Sequence, residues 1–287
     1  MAGNAPTFTL KAILAASAIS CVLQAPITWS AELYRWVDAQ GRVHFGDQPP
    51  ANAEAQTLKI QARRPWRRAE VKSVTDGDTL KLTNGETIRL LNINTPELPR
   101  RGRPGEALAE EARDALIKLT QDKTVEYKPG EQQRDKYDRL LALVRDESGQ
   151  DLSMALLRLG MARLDVRSPN DQGWQDYAAA ERGALESGIG IWALPDYRIM
   201  SANEAAERRN LFTRVSATVS KVENSKAGLV LELGSELSCL VPEEFPSVMQ
   251  WASAINAGRT LTLRGTIRQR NKRPVLYLRH LSQIEGD

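Results

Sequence analysis

The chain has 287 residues, with 39 Lys and Arg against 36 Asp and Glu, so its formal net charge is only +3. Hydrophobic residues make up 41% of the chain, a composition that excludes a disordered protein and predicts one large or two modest globular domains. The two cysteines, Cys21 and Cys239, are too few and too far apart for a disulfide framework, which excludes a disulfide-stapled mini-fold.

Residues 1–31 are predicted to be an export signal. Lys11 precedes the apolar run Ala12–Leu23, whose twelve residues match the hydrophobic part of a secretory signal and fall short of the roughly 20 that span a membrane. We expect cleavage after Ala31, no stable membrane span in the mature chain, and a periplasmic or secreted location. A lipid anchor at Cys21 and an uncleaved N-terminal anchor are the alternatives.

Residues 32–50 alternate aromatic or apolar side chains with polar ones on either side of a Gln40-Gly41 turn, which predicts a small β-hairpin module. Its Tyr-Arg-Trp-Val-Asp opening at 34–38 and its closing Pro49-Pro50 resemble a short periplasmic module of unknown function that follows many proteobacterial signal peptides. The resemblance implies export in a Gram-negative bacterium and implies no chemistry.

Residues 51–68 are predicted to be a linker that carries the basic cluster Arg63, Arg64, Arg67 and Arg68. A cluster of this kind is most often a solvated stretch. Beside an enzyme that acts on nucleic acid, it would also attract phosphates.

A five-stranded barrel is predicted for residues 69–197. Asp76-Gly77 and Asn84-Gly85 mark the turns of a three-stranded meander, and apolar spacing predicts three helices. The predicted strands are Glu70–Thr75, Asp78–Thr83, Glu86–Ile93, Thr124–Lys128 and Leu140–Arg145, and the predicted helices are Gly105–Leu119, Leu152–Leu159 and a segment from Asp171 to Gly188. Five strands with an inserted helix and a helical end suggest a closed barrel of the oligonucleotide-binding type.

The candidate chemistry lies on this barrel. Asp76 and Asp78 flank a glycine, and Arg89 stands five residues before Asn94. Carboxylate, amide and carbonyl oxygens are ligands of a hard cation such as Ca²⁺, whereas zinc would need His or Cys, which this region lacks. Arg89 and Arg139 can each form paired hydrogen bonds to a phosphate. Together these groups predict a site that cleaves phosphodiesters.

Five segments of the sequence, taken in their order and spacing, resemble those of a known protein family. They are Val71–Leu82, Ile88–Glu97, Gly105–Ala107, Asp135–Arg139 and Gly188–Trp192. In this succession they closely resemble the staphylococcal nuclease (thermonuclease) family, over about residues 69–197 and a little under half of the chain.

The resemblance implies a role for each matching position. The implied ligands of one Ca²⁺ ion are Asp78, Asn94 and the backbone carbonyl of Thr95, with Asp76 behind them. The implied catalytic residues are Glu97, as general base for the attacking water, and Arg89 and Arg139, which bind the phosphate and stabilise the five-coordinate phosphorus, while Tyr137 lines the site. Fixed cations lower the barrier because attack on a phosphodiester adds negative charge to its oxygens.

Two positions depart from the family pattern. Asn94 stands where an aspartate often ligates the metal, and the loss of one negative charge predicts weaker Ca²⁺ binding at a site that survives. Residues 164–169 replace a tyrosine-bearing segment that contacts the nucleotide in the family's best-known member. The positioning of the substrate is therefore expected to differ. The family's preference for particular bases, and for strand ends or strand interiors, does not transfer to this chain.

Residues 208–287 are predicted to form a second module. The predicted strands are Thr213–Val222, Gly228–Leu233, Leu237–Val241, Thr260–Arg268 and Pro274–His280, with a helix over Pro242–Ile255 between the third and fourth, a pattern that again suggests an oligonucleotide-binding barrel. A basic face near Tyr277 is formed by Arg264, Arg268, Arg270, Lys272 and Arg273. This face predicts binding of single-stranded nucleic acid, with the backbone attracted by the positive charges and a base stacked on the tyrosine. The alternative is a module that serves for packing or binds a partner.

The predicted fold class is mainly β with α (α+β), in which a nuclease-type five-stranded barrel with helices precedes a second, similar barrel. The predicted function is that of an exported Ca²⁺-dependent nuclease acting on DNA and, as a second candidate, RNA. The alternative is a non-catalytic envelope protein that binds nucleic acid or protein through a decayed site. The sequence gives no oligomeric state.

Overall fold

The computed structural model describes residues 33–38, 40–50, 54–58, 64–100, 102–120 and 123–286. The chain divides into two compact units, Met1–Arg63 and Arg64–Asp287. The predicted export signal lies outside the described residues. Within the ranges given, no helix is both long enough and apolar enough to cross a membrane.

The first unit contains a three-stranded antiparallel sheet. Its strands are β1 (Leu33–Val37), β2 (Val43–Gly46) and β3 (Gln56–Leu58), in the order β2-β1-β3. The rings of Trp36 and His44 stack across the hairpin with centroids 5.6 Å apart. Strand β3 lies inside the segment predicted to be a linker. Three residues are too few to show a pattern in sequence, but they satisfy the backbone groups on the open edge of β1.

The second unit begins with a closed five-stranded barrel, as predicted. Its pairing order is β4-β5-β6-β9-β8, and β6 and β9 run parallel. The strands of this region are β4 (Arg67–Asp76), β5 (Thr79–Leu82), β6 (Thr87–Leu90), β7 (Ile93–Asn94), β8 (Thr124–Arg134), β9 (Leu140–Arg145) and β10 (Arg163–Leu164). Arg67 and Arg68, which were assigned to the linker, therefore belong to the first barrel strand.

Three helices cover this barrel, namely α1 (Ala109–Thr120), α2 (Leu152–Arg158) and α3 (Trp174–Ser187). Asp151 caps α2 by accepting a hydrogen bond from the backbone N–H of Met154 at 2.9 Å, and Gly188 ends α3 in the left-handed conformation, at φ 60°. Helix α1 begins four residues later than predicted, because Gly105–Leu108 form a turn that binds the neighbouring loop. Barrel residues such as Leu80 and Leu90 share one buried core with Leu116 and Leu156 of the helices.

The C-terminal part repeats this architecture. Its strands form one sheet and are β11 (Ile199–Met200), β12 (Phe212–Ser225), β13 (Gly228–Leu233), β14 (Leu237–Val241), β15 (Thr260–Arg270), β16 (Arg273–Tyr277) and β17 (Ile284–Glu285). Its helices are α4 (Ala202–Glu207) and α5 (Pro246–Ser253). Strand β12 also pairs with β15, so the pairings β12-β13-β14-β16-β15 close into a ring, with β14 and β16 parallel. The predicted second barrel-like module is thus present.

The two barrels meet in a buried joint within the second unit. Arg264 of β15 forms an ion pair with Glu181 of α3, with 2.6 Å between Nη1 and Oε2, and both side chains are almost completely buried. The guanidinium of Arg163 lies over the ring of Phe212, 4.2 Å from its centroid. Trp174 and His280 pack edge to face at 5.1 Å. A charge pair and two aromatic contacts therefore connect the barrels.

Candidate active site

The site is built on the tight turn between β4 and β5. Asp76 ends β4, and Asp78 lies immediately before β5; both carboxylates are buried. Gly77 between them packs so closely that a Cβ there would lie 2.7 Å from Oγ1 of Thr95 and 2.9 Å from the Cβ of Ala112. Only glycine leaves room for this approach, so the Asp-Gly-Asp turn packs against α1 and against Thr95, the residue that follows β7.

Asp78 and Arg89 form the buried ion pair at the centre of the site. Oδ2 of Asp78 lies 2.8 Å from Nη2 of Arg89, and the side chain of Arg89 is only 13% exposed. The backbone carbonyls of Leu90 and Ile93 accept hydrogen bonds from the same guanidinium at 2.6 and 2.9 Å. Arg89 pairs with Thr79 across β5 and β6, so the strand pairing brings Arg89 to the turn that carries Asp78. Four acceptors in all, including Asn94, keep this cation in one orientation.

The three predicted metal ligands lie together. Oδ1 of Asn94 accepts a hydrogen bond from Arg89 at 3.2 Å, and the backbone N–H of Thr95 donates to Asp78 at 3.3 Å. Nδ2 of Asn94 donates to the carbonyl of Thr95 at 3.0 Å. No group of three or more His, Cys, Asp or Glu side chains placed to hold a metal occurs among the described residues. The local donor set is one carboxylate, one amide oxygen and one carbonyl, the oxygen donors that suit a hard cation.

Arg139 is held at the start of β9 by a carboxylate four residues earlier. Its Nε and Nη2 lie 2.8 and 2.7 Å from Oδ2 of Asp135, and its Nη1 donates to Oγ1 of Thr79 at 3.4 Å. Thr79 in turn donates to Asp78 at 3.0 Å. Tyr137 is 68% exposed, and the guanidinium of Arg139 lies 5.5 Å from its ring centroid. Both predicted phosphate-binding arginines are therefore connected to Asp78, Arg89 directly and Arg139 through the hydroxyl of Thr79.

The chemistry of Arg139 depends on Asp135. Although burial opposes it, the side-chain hydrogen bond from Arg139 and the backbone N–H groups of Arg139 and Tyr137 lower the pKa of Asp135. The lowered pKa favours the ionised form of Asp135, which is the form that pairs with the Arg139 guanidinium. Asp135 is not among the predicted site residues, although its position four residues before Arg139 is a spacing that allows an ion pair.

Glu97 stands at the exposed edge of the site with its side chain 48% exposed. Burial and the neighbouring charge of Asp76 raise its pKa, while Arg100 acts in the opposite direction. One nitrogen, Nη2 of Arg100, bridges Glu97 at 2.9 Å and Asp76 at 3.0 Å. Sequence reasoning missed Arg100, because nothing in its Pro- and Arg-rich loop distinguishes it from its neighbours.

The main chain of Glu97 is fixed by Glu106, in the turn that precedes α1. The N–H of Glu106 donates to the carbonyl of Glu97 at 2.9 Å, and the N–H of Glu97 donates to the Glu106 carboxylate at 3.1 Å. This reciprocal pair explains the delayed start of α1, since the turn binds the loop that carries Glu97.

The segment that departs from the family pattern borders the site directly. In the short β7–β10 pair, Arg163 stands opposite Asn94 and Leu164 opposite Ile93. The N–H of Leu164 donates to Oε1 of Glu181 at 2.5 Å. Burial raises the pKa of Asp165, but the positive charges of Arg163, Arg167 and Arg89 outweigh it and lower this pKa. The strand beside Asn94 is therefore attached, through Glu181, to the second barrel.

Comparison with known proteins agrees with this geometry. Residues 87–194 match the model of the staphylococcal nuclease homologue family, and residues 19–70 match a domain of unknown function, DUF4124. The chain carries a staphylococcal nuclease-like domain. Both resemblances found in the sequence are confirmed.

Three relatives share the name probable endonuclease LCL3. The protein of Pyrenophora tritici-repentis is 33% identical over 112 residues, that of Leptosphaeria maculans 35% over 110, and that of Phaeosphaeria nodorum 33% over 109. These alignments cover 36–37% of this chain, and 41%, 36% and 36% of the relatives respectively. The chain thus spans well under half the length of the relatives that it matches.

The basic residues predicted on the second barrel fall into two groups. Arg264 is 5% exposed and is committed to Glu181 of the nuclease-like domain and to the carbonyl of Ser282. The prediction that Arg264 contacts nucleic acid is therefore wrong, because this side chain is buried against the first barrel. Arg268 is exposed and donates to Oδ1 of Asn210 at 2.9 Å. The remaining three residues, Arg270, Lys272 and Arg273, lie at the β15–β16 turn.

Proposed function

We propose that the chain is a metal-dependent nuclease that hydrolyses phosphodiester bonds of DNA, with RNA as a second substrate to test. The observation that carries the proposal is the pair of guanidinium groups held beside one buried carboxylate, Arg89 directly at 2.8 Å and Arg139 through Thr79. The names of the relatives favour cleavage within a strand rather than from its ends.

The arginines supply oriented positive charge. Attack at phosphorus adds negative charge to the non-bridging oxygens, and donors that already point at these oxygens need no reorganisation. Arg139 keeps its fork in place by bonding to Asp135, and its 26% side-chain exposure leaves it open to a ligand. Removing one oriented donor of this kind costs about 2.7–4 kcal/mol, or roughly 10²–10³ in rate.

Glu97 is the proposed general base. It takes a proton from the attacking water as the water oxygen bonds to phosphorus, and the P–O ester bond to the leaving oxygen breaks, with solvent reprotonating that oxygen. Its raised pKa strengthens it as a base. Arg100 and Glu106 position the carboxylate and its main chain.

We propose Ca²⁺ as the metal, held by Asp78, Asn94 and the carbonyl of Thr95, with Asp76 behind them. A bound divalent cation neutralises phosphate charge and acidifies water. If the oxygens of Asp78 and Asn94 held the cation, Arg89 would lose these two hydrogen-bond acceptors. The carbonyls of Leu90 and Ile93 would still hold the Arg89 guanidinium in its place beside Asp78.

The first experiment is digestion of single-stranded DNA, duplex DNA and RNA by the purified chain with Ca²⁺, with Mg²⁺ and with EGTA. Arg139→Ala should reduce cleavage by about 10²–10³. The matched control is Arg145→Ala, which removes the arginine at the other end of β9, paired with Glu126 instead, and it should digest DNA like the parent. Equal digestion by both variants would contradict the assignment.

One contact favours a second function. Nδ2 of Asn94 donates to the carbonyl of Thr95, so one of the proposed ligand oxygens already accepts a hydrogen bond from another proposed ligand residue. A chain in which this contact persists would bind nucleic acid without cutting it. Strand retention in a gel without cleavage at millimolar Ca²⁺ would establish that alternative, and Asn94→Asp would be the first substitution to restore cleavage.

We also propose export to the periplasm or the medium. The apolar run Ala12–Leu23 after Lys11 supports this proposal. Expression in a Gram-negative host, followed by fractionation and N-terminal sequencing, tests it. Cleavage after Ala31 is expected, modification at Cys21 would identify a lipoprotein, and an intact chain in the cytoplasm would contradict export.

A further inference from the structure

A basic cleft lies between the two barrels and starts beside the candidate active site. Its volume is about 370 Å³, within the roughly 300–1,000 Å³ typical of small-ligand sites. Arg163 and Asp165 form part of one wall, and they are the residues directly before and after Leu164, which pairs with Ile93 of β7. Residues of the second barrel, including Arg268, Tyr277 and Arg279, form the other wall. The cleft therefore exists only because both barrels are present.

The charge of the cleft is strongly positive. Among the described residues that line it, five are arginines (163, 167, 264, 268 and 279) and one, Asp165, is acidic. Glu181 neutralises Arg264 and Asp165 bonds to Arg167 at 2.8 Å. Three positive charges remain in excess, and two of them, Arg268 and Arg279, are exposed. Such a surface attracts a phosphate backbone.

Tyr277 adds an aromatic surface to this charge. Its ring is half-buried, and the guanidinium of Arg279 lies 5.0 Å from the ring centroid. An aromatic ring beside a cation is the arrangement on which unpaired bases stack while the backbone follows the positive charge. The bases of a duplex are already stacked on one another and have no free face to offer such a ring.

We infer that this inter-barrel cleft binds a single-stranded nucleic acid and positions it beside the nuclease-like site. Arg268 and Arg279 contact phosphates, and Tyr277 stacks with a base. The role as a substrate channel rests on the proposed nuclease function, but the binding itself does not.

The test is fluorescence anisotropy of the full mature chain with labelled oligo(dT) of about 8 to 16 nucleotides, in EDTA so that cleavage does not interfere. The cleft variant is Arg268→Ala with Arg279→Ala. Its matched control is Lys221→Ala with Lys226→Ala, which removes two positive charges from exposed positions in β12 and the β12–β13 turn of the same barrel, outside the lining of the cleft. We expect the cleft variant to bind about tenfold more weakly, with the slope of log K against log salt reduced by about 1.4 for two lost phosphates, and the control to bind like the parent.

A second pair of variants probes stacking. Tyr277→Leu should weaken binding by about tenfold, while Tyr277→Phe, which keeps the ring, should bind like the parent. Equal loss in the cleft and control variants, loss in neither, or cleft-dependent binding that is as tight for duplex as for single strands would overturn the inference.

Cleavage assays separate the two proposals. The cleft variant should hydrolyse a mononucleoside p-nitrophenyl phosphodiester at the parent rate and cut long strands with a higher KM. If the parent cuts nothing but the binding differences hold, the nuclease proposal fails and the cleft stands. If the parent cuts and the cleft variant keeps both its KM and its affinity for long strands, the cleft proposal fails and the nuclease stands.

Discussion

The two barrels of the second unit share one pairing order and differ in the side chains that it displays. In the first barrel the parallel strands place Arg89 opposite Leu141, two residues after Arg139. In the second barrel the parallel pair brings Cys239 opposite Leu276, and Cys239 is fully buried with a pKa raised to about 12 by burial. The same topology thus holds a charged site in one copy and an apolar core in the other, which shows that the fold supplies positions and the sequence supplies chemistry.

The basic residues divide between the barrels in a complementary way. The first barrel pairs its arginines with carboxylates at the strand ends, as in Arg89 with Asp78 and Arg139 with Asp135. The second uses one arginine, Arg264, to bind the first barrel, and leaves Arg268 and the β15–β16 turn exposed. One barrel is therefore suited to focused charge at a reaction centre, and the other to attachment and to diffuse attraction.

The largest expected effect, on the free energy of unfolding, comes from removing the ion pair that joins the two barrels. Arg264→Met leaves Glu181 buried without its partner and should lower the free energy of unfolding by about 3–5 kcal/mol. Urea unfolding followed by circular dichroism measures it. Arg273→Met, at an exposed position of the same barrel, should leave the midpoint unchanged. An unchanged midpoint for Arg264→Met, or two separate transitions in the parent, would show that the barrels do not depend on each other.

The next effect concerns how the first barrel holds its arginine. Asp135→Asn removes a charge-assisted hydrogen bond worth about 1.5–3 kcal/mol, so kcat should fall by about tenfold or more. Because Asp135 acts through Arg139, the double variant Asp135→Asn with Arg139→Ala should be no slower than Arg139→Ala alone. Fully additive losses would show that Asp135 acts independently.

A smaller effect tests the charge of the predicted metal site. Asn94→Asp adds a carboxylate beside Asp78, and Ca²⁺ affinity rises with ligand charge. We expect the half-saturating Ca²⁺ concentration to fall by about tenfold in calorimetric titration. Asn84→Asp, in the β5–β6 turn, adds the same charge away from the site and should change nothing. Unchanged affinity in Asn94→Asp would remove Asn94 from the ligand set.

The smallest effect is a shift in pH dependence. The pKa of Glu97 is already raised by burial and by Asp76, and Arg100 partly opposes this rise. Since the base must be deprotonated, activity is lost as the pH falls through this pKa. Arg100→Ala removes the opposing charge, so the acid limb of the kcat/KM profile should move to higher pH, while Asp76→Asn should move it to lower pH. Identical profiles would mean that Glu97 is not the titrating base.

Local patterns predicted most of the secondary structure for definite reasons. Asn84-Gly85 marked a hairpin, since Gly85 adopts φ +90° and Asn84 accepts a hydrogen bond from the N–H of Glu86. Asp151 and Gly188 marked helix ends because capping depends only on neighbouring residues. Strand β3 was missed, since its formation depends on pairing with the distant β1 rather than on its own three residues.

By itself, the sequence indicated the strands of the two barrels, the Asp-Gly-Asp turn, and Arg89, Glu97 and Arg139 as candidates. Strands and turns follow from spacing within short segments, and the candidates follow from the order of such segments along the chain. Only the tertiary structure decided which groups face one another: Arg100 between Asp76 and Glu97, and Arg264 against Glu181. Such contacts join residues from different segments, and in the second case from different barrels, so no local pattern encodes them. Burial and charge pairing across the folded chain therefore decide whether an arginine serves as a ligand, a support or part of a joint.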